Sequence, residues 1–354
     1  MLDEQPIRQA LSRILDPELS RPLTELDMVR FIRIDGDKVT VGIALTVGGC
    51  PQKDKIRDDI INAVSEVPGV KSVTVDFDVM TDQQRARLKT QLGLGSQAGL
   101  KPVPLADTAT RFVAVASGKG GVGKSTVTSN LATALARLGH RVGLVDADVY
   151  GFSIPRMLGI TCHPTIEDEK IIPATVGENL QVVSMGFFVG EDDPIIWRGP
   201  LLHKTINQFL SDVAWSDLDY MLLDLPPGTG DVTLTIAQSL PSAELLVVTT
   251  PQAVATHVAA RVAKLAERTN LRLLGVIENM AYLERDGRRE YIFGKDGGRE
   301  LATKLGITFL GQIPLMQTIR EAADTGRPVA VYGTPDEVSL FENLARAVQE
   351  GAPR

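Results

Sequence analysis

Apolar residues recur at helical spacing from the start of the chain, where Ile7, Leu11 and Ile14 put one stripe on a helix predicted over Asp3–Ile14. Two extended segments come next, Met28–Ile34 and Lys38–Leu45. Asp35-Gly36-Asp37 between them reads as a hairpin turn in which glycine supplies the positive φ. Pro51 opens a second helix that runs to about Val64, with Ile56, Ile60, Ile61 and Val64 as its apolar stripe. Val70–Phe77 then alternates as a strand. The predicted order is αββαβ, a small two-layer α/β domain over residues 1–84.

The periodicity stops between Arg85 and Thr110. Gly93, Gly95, Ser96 and Gly99 are followed by Pro102 and Pro104, a composition that reads as a linker, flexible first and stiffer later. Beyond this 85–110 segment, short apolar runs stand at Phe112–Ala116, Val142–Val145, Tyr220–Leu223, Leu245–Thr249, Leu273–Ile277 and Thr308–Gly311. Amphipathic stretches such as Lys124–Leu138, Val254–Arg268 and Val338–Gln349 separate many of them. Strands that are apolar throughout, with helices between them, predict a mostly parallel sheet covered by helices on both faces. This second α/β domain is expected over residues 111–354.

Composition narrows the function more than the fold. Of 354 residues, 44% are hydrophobic and 23% charged, enough apolar content for two packed cores and too much for a disordered chain. A net charge of −7 leaves no basic surplus to neutralise phosphates, so nucleic acid is not an expected partner. No apolar run approaches the roughly 20 residues that span a bilayer, and no membrane partner is expected. Met1-Leu2-Asp3-Glu4-Gln5 lacks the basic-then-apolar layout of a secretion signal, so the expected location is cytoplasmic. Cys50 and Cys162 are too few for a disulfide framework.

The chemistry is concentrated at Gly118-Lys119-Gly120-Gly121-Val122-Gly123-Lys124-Ser125, followed by Thr126. The run fits G-x-x-x-x-G-K-[ST] and stands between a predicted strand and a predicted helix. Glycines let backbone N–H groups curl around phosphate oxygens at a helix N-terminus. Lys124 is expected to reach the outer phosphates and the Ser125 hydroxyl to ligate Mg²⁺. Asp146-Ala147-Asp148 and Asp224 end two further strands, at the carboxyl edge where open parallel sheets bind ligands. Asp224 is the natural carboxylate for Mg²⁺, while Asp148 is placed to orient an attacking water and Asp146 to support the metal shell. Any one such aspartate could instead cap a helix. ATP is expected rather than GTP, because neither Asn279-Met280-Ala281-Tyr282 nor Thr303-Lys304-Leu305-Gly306 forms the guanine-reading N-K-x-D.

The spacing K-G-G-V-G-K-S-T, with its additional Lys119, resembles the deviant Walker A motif of the MinD, ParA, nitrogenase-reductase and Mrp families. The resemblance implies that Lys119 reaches across a homodimer to the partner's nucleotide and that Asn279 contacts adenine. Further segments narrow it: Asp146–Pro155, Trp197-Arg198-Gly199-Pro200, Asp224–Asp231, Glu278-Asn279-Met280 and Ile292–Gly298 together resemble the Mrp/ApbC family of iron–sulfur cluster carrier P-loop ATPases. The first domain, with Leu45-Thr46 and then Cys50-Pro51, is similar to the small domain of iron–sulfur assembly factors. Membership of that family would imply a Mg²⁺-dependent ATP hydrolase with Lys119, Lys124, Asp148 and Asp224 in catalytic roles. It would deliver iron–sulfur clusters to apo-proteins and work with other assembly factors.

One segment departs from the family pattern. Many members carry C-P-x-C after the N-M pair, and those thiolates bridge a cluster between subunits. Here Arg285 and Arg288 stand about where the cysteines would be, and Asp286-Gly287 reads as a plain hairpin turn. Arginine cannot ligate iron. Cys50 precedes a predicted helix whose dipole would favour its thiolate, which makes it a candidate iron ligand; the alternative is a buried small hydrophobe. Cys162-His163 alone is a weak metal signal. The competing function is a MinD/ParA-type positioning ATPase without metal cargo. Against it, Phe341–Glu350 carries both charge signs where a lipid-binding helix would present a basic face.

Overall fold

The computed structural model describes residues 2–16, 21–45, 53–81, 84, 108–148, 151–162, 164–188, 199–228 and 230–351. Cys50, Pro51, most of the 85–110 segment, His163, Trp197-Arg198 and Thr229 lie outside the described residues. Contacts divide the chain into two units, Met1–Gly99 and Leu100–Arg354.

The first unit has the αββαβ order: helix Glu4–Leu11, β1 (Val29–Asp35), β2 (Lys38–Leu45), helix Lys53–Ser65 and β3 (Ser72–Val79). β1 and β2 are antiparallel around Gly36, whose φ of 62° is the left-handed conformation the turn requires, and β3 runs parallel to β2. Side chains alternate across a strand, so Val39, Val41 and Ile43 share one face of β2. They pack there with Ile7, Leu11, Ile56, Ile60 and Val64. Ile61, read from sequence as part of the stripe, is only half-buried, because the i, i+4, i+8 line of Ile56, Ile60 and Val64 already fills the interface. The first helix ends at Leu11 rather than Ile14. Ile14 still reaches the core, from a segment in which Leu15 bridges to Pro22.

The second unit is built on eight strands. They are β4 (Arg111–Ser117), β5 (Val142–Asp146), β8 (Ala174–Val176), β9 (Leu180–Ser184), β10 (Tyr220–Asp224), β11 (Glu244–Thr249), β12 (Arg272–Asn279) and β15 (Phe309–Ile313). Two small hairpins, β6 (Thr165–Glu167) with β7 (Lys170–Ile172) and β13 (Leu283–Arg285) with β14 (Arg288–Glu290), lie outside the sheet. The spatial order is β15-β12-β11-β4-β10-β5-β9-β8, and every pairing is parallel except that of β8 with β9.

Alternation along β4 sends Phe112, Ala114 and Ala116 to one core and Val113 and Val115 to the other. The first core is closed by helices Gly199–Ser211, Asp231–Ser239 and Ala253–Arg268, through residues such as Phe209, Ile236 and Val262. The second is closed by helices Lys124–Arg137 and Pro335–Glu350, through Leu131, Leu135 and Phe341. All six predicted strands are present. The sequence reading misses β8, whose three residues are too short for a periodic signal, and β9, whose Leu180–Ser184 run is interrupted by Gln181. No helix among the described residues is long and apolar enough to cross a membrane.

Candidate nucleotide-binding site

β4 lies between β11 and β10, so the loop that leaves its carboxyl end emerges at the middle of the sheet. Gly121 and Gly123 adopt φ of 79° and 78°, a conformation that side chains with a Cβ resist. Gly118 is needed for space instead: a Cβ there would overlap the backbone at Val258–Ala259 of helix Ala253–Arg268. The loop and the first turn of helix Lys124–Arg137 line a cavity of about 610 Å³, with Asp148, Gly151, Pro226 and Pro227 on its other walls.

Lys124 is only 5% exposed, and its Nζ lies 2.7 Å from Asp224 Oδ2 and 3.4 Å from Asp148 Oδ2. The Ser125 hydroxyl donates to Asp224 Oδ2 at 2.5 Å. Thr128 Oγ1 lies 2.7 Å from Asp224 Oδ1 and 2.9 Å from the Lys124 carbonyl. The sequence reading misses Thr128; its signal is the i+4 position after Lys124, one turn along the same helix face. The structure thus joins Lys124, Ser125, Asp148 and Asp224 into one cluster. Burial raises the proton affinity of Asp148, against the opposing pull of the Lys124 charge.

Asp146, which the sequence assigns to the metal shell, is hydrogen-bonded within the protein. It is fully buried, and its Oδ2 accepts from the Ser184 hydroxyl at 2.9 Å and from the backbone N–H groups of Ser153 and Ile154 at 3.2 Å. These bonds tie the end of β5 to β9 and to the short helix Ile154–Met157. Asp146 is also the register partner of Asp224 on the neighbouring strand. Burial, and next the Asp224 charge, push its pKa up from 3.8 to about 7.

This shift makes stability fall with rising pH. The native chain holds the Asp146 proton to about pH 7 and the unfolded chain releases it near 3.8, so this contribution to stability is complete below 3.8 and lost as pH rises through 7. Asp146→Asn keeps an acceptor oxygen and removes the titration. Its nucleotide-free melting temperature should therefore vary less between about pH 4 and 8 than that of the wild type. Parallel profiles would contradict the assignment.

Asn279 is buried against the loop, where its Nδ2 donates to the Val122 carbonyl at 2.9 Å. A Cβ at Gly123 would overlap the same amide nitrogen. This contact braces the loop and is distinct from the adenine contact that the resemblance implies. Lys119 Nζ donates to Gln252 Oε1 at 2.9 Å, a partner 133 residues away that no sequence signal identified. Glu278 accepts from Gly298 N at 2.5 Å, bringing together two of the segments that carry the family resemblance. The β13–β14 hairpin turns at Asp286-Gly287 as predicted and sets Arg285 directly opposite Arg288. Cys162 is exposed.

Residues 108–349 match the family model described as NUBPL iron-transfer P-loop NTPase, and residues 4–77 match that of an iron–sulfur cluster assembly protein. The chain belongs to the NUBPL iron-transfer P-loop NTPase family. A relative from Mycobacterium bovis, named iron-sulfur cluster carrier protein, is 48% identical over 93% of this chain and 88% of its own length. A nucleotide-binding protein from Archaeoglobus fulgidus, solved in complex with ADP, superposes with a TM-score of 0.57 at 38% identity, over 65% of this chain and 91% of that one. The cell division ATPase MinD of Pyrococcus furiosus shares the fold, with a TM-score of 0.52 at 23% identity over 68% of this chain and 99% of its own. The sequence resemblance to an iron–sulfur carrier P-loop NTPase with a small assembly-type domain therefore holds.

Proposed function

We propose that the chain hydrolyses ATP as a homodimer and uses that cycle to carry iron–sulfur clusters to apo-proteins, together with other assembly factors. The observation that carries the nucleotide half is the cluster in which Lys124, Ser125 and Asp148 of the cavity lining meet Asp224, buried behind them. The cargo half is supported by the match of both domains to iron–sulfur families and by the carrier names of the relatives.

Loop N–H groups and Lys124 bind the phosphates, and Lys119 adds its charge across the dimer. The hydroxyl of Ser125 and the carboxylate of Asp224, hard oxygen donors in contact, suit Mg²⁺. When bound, that ion neutralises charge on the phosphate oxygens. Asp148 orients the attacking water, a role that its raised proton affinity suits. Asn279 holds the loop from behind and keeps its oxygen for the base. Asp146 acts as a positioning residue for the cavity wall.

With arginines at 285 and 288, the ATPase domain lacks the family's thiolate pair on that hairpin, so the cargo is held through Cys50 and completed by a client or a small thiol. Anaerobic reconstitution with iron and sulfide, followed by desalting and metal counting, tests this. The wild type should retain substoichiometric iron and pass it to an apo-protein faster with ATP, and Cys50→Ala should retain less. A stable cluster in Cys50→Ala would reject the ligand assignment, and iron delivery indifferent to ATP would reject the carrier cycle.

A further inference from the structure

Two lysines stand on the phosphate loop, and the structure treats them differently. Lys124 is buried between two carboxylates. Lys119 is half-buried, lines the cavity, and its ammonium meets a neutral acceptor, the Gln252 amide oxygen at 2.9 Å. Gln252 is the N-cap of the 16-residue helix Ala253–Arg268, yet its side chain makes no capping bond. Its backbone carbonyl accepts from Ala255 and Thr256, while its amide oxygen is spent on the lysine.

The location is a poor one for a cation. Unpaired N–H groups and the helix dipole make the first turn electropositive, which opposes an ammonium there. A carboxylate at 252 would both cap the helix and pair with the lysine more strongly. Glutamine gives a hold that is directional and weak. The backbone around Lys119 stays fixed meanwhile: Ser117 Oγ donates to the Lys119 carbonyl at 3.1 Å, and Gly118 fits against Val258–Ala259 without room for a Cβ. Releasing Lys119 therefore needs only rotation of its own side chain.

We propose that Gln252 is a positioning residue that holds Lys119 on its own subunit, and that ATP-driven pairing of two chains begins by breaking this bond. The inference rests on the proposed function, in which Lys119 serves the partner's nucleotide. Holding the lysine in cis reduces the fraction of chains competent to pair, so weakening the hold raises apparent affinity and strengthening it lowers affinity.

Sedimentation of the full chain with Mg²⁺ and a non-hydrolysable ATP analogue tests it in four proteins. The wild type should pair with the analogue and Lys119→Ala should not. Gln252→Ala should pair at several-fold lower protein concentration than the wild type. Gln252→Glu should need several-fold higher concentration, with the difference shrinking at high salt because it is a charge–charge effect. A purely structural role for Gln252 would move both variants in the same direction, and that result would overturn the proposal. A Lys119-dependent pair indifferent to both substitutions would overturn the holding role alone. A wild type that stays monomeric, or a Lys119→Ala protein that pairs normally, would overturn the trans reading and this inference with it.

Discussion

Lys124→Ala should eliminate productive ATP turnover and also destabilise the nucleotide-free chain. The ammonium is buried and lies 2.7 Å from one carboxylate and 3.4 Å from another, so its removal leaves Asp224 and Asp148 facing each other without a cation. Breaking a buried ion pair from one side costs about 3–5 kcal/mol, most of it the uncompensated charge that remains. In the proposed turnover the same side chain neutralises phosphate charge, and losing one such group costs on the order of 10²–10³ in rate. The two effects separate experimentally: phosphate release reports the second, and denaturant unfolding without nucleotide reports the first. Acidification should narrow the stability difference, because burial already favours the protonated form of Asp148. A variant that turned over ATP at the wild-type rate would remove the loop from the active site.

Asp148→Asn should keep ATP bound and stall its hydrolysis. The residue lines the cavity without being one of the Asp224 contacts, so the phosphate-binding loop and the Ser125–Asp224 pair survive the change. An amide cannot take a proton from water, and losing a positioned base costs about 10²–10⁴ in rate. Unlike Lys124→Ala, this change removes a negative charge beside a lysine that retains Asp224, and the fold should tolerate it. Filter retention of labelled ATP with single-turnover phosphate release distinguishes binding from chemistry. Equal losses in both would mean that Asp148 shapes the cavity rather than handling the water.

Much of this protein was legible in its sequence because the governing interactions are local. Gly36 between two extended segments fixes a hairpin. The run from Gly118 to Ser125 encodes its own geometry, since positive φ at Gly121 and Gly123 and a helix start at Lys124 are properties of neighbouring residues. The strand-end position of Asp224 is set by the apolar run before it. Two strands escaped: β8 has three residues, too few for a period, and is a strand only through its pairing with β9, while β9, with Gln181 inside it, is not a continuous apolar run and is placed by pairing with β5.

The division of labour among like residues was decided only in three dimensions. Asp146, Asp148 and Asp224 are the same residue type at similar strand ends, and sequence spacing cannot say which faces Lys124 and which turns away to Ser184 and two backbone N–H groups. That choice depends on β10 lying between β4 and β5, a crossover that sets Asp224 opposite Val115 on one side and Asp146 on the other. The Lys119–Gln252 bond depends likewise on β11 pairing with β4, which brings the start of helix Ala253–Arg268 beside the loop. Local sequence sets backbone conformation over a few residues, whereas a hydrogen bond between side chains 133 positions apart forms only where strand order places both at one edge of the sheet.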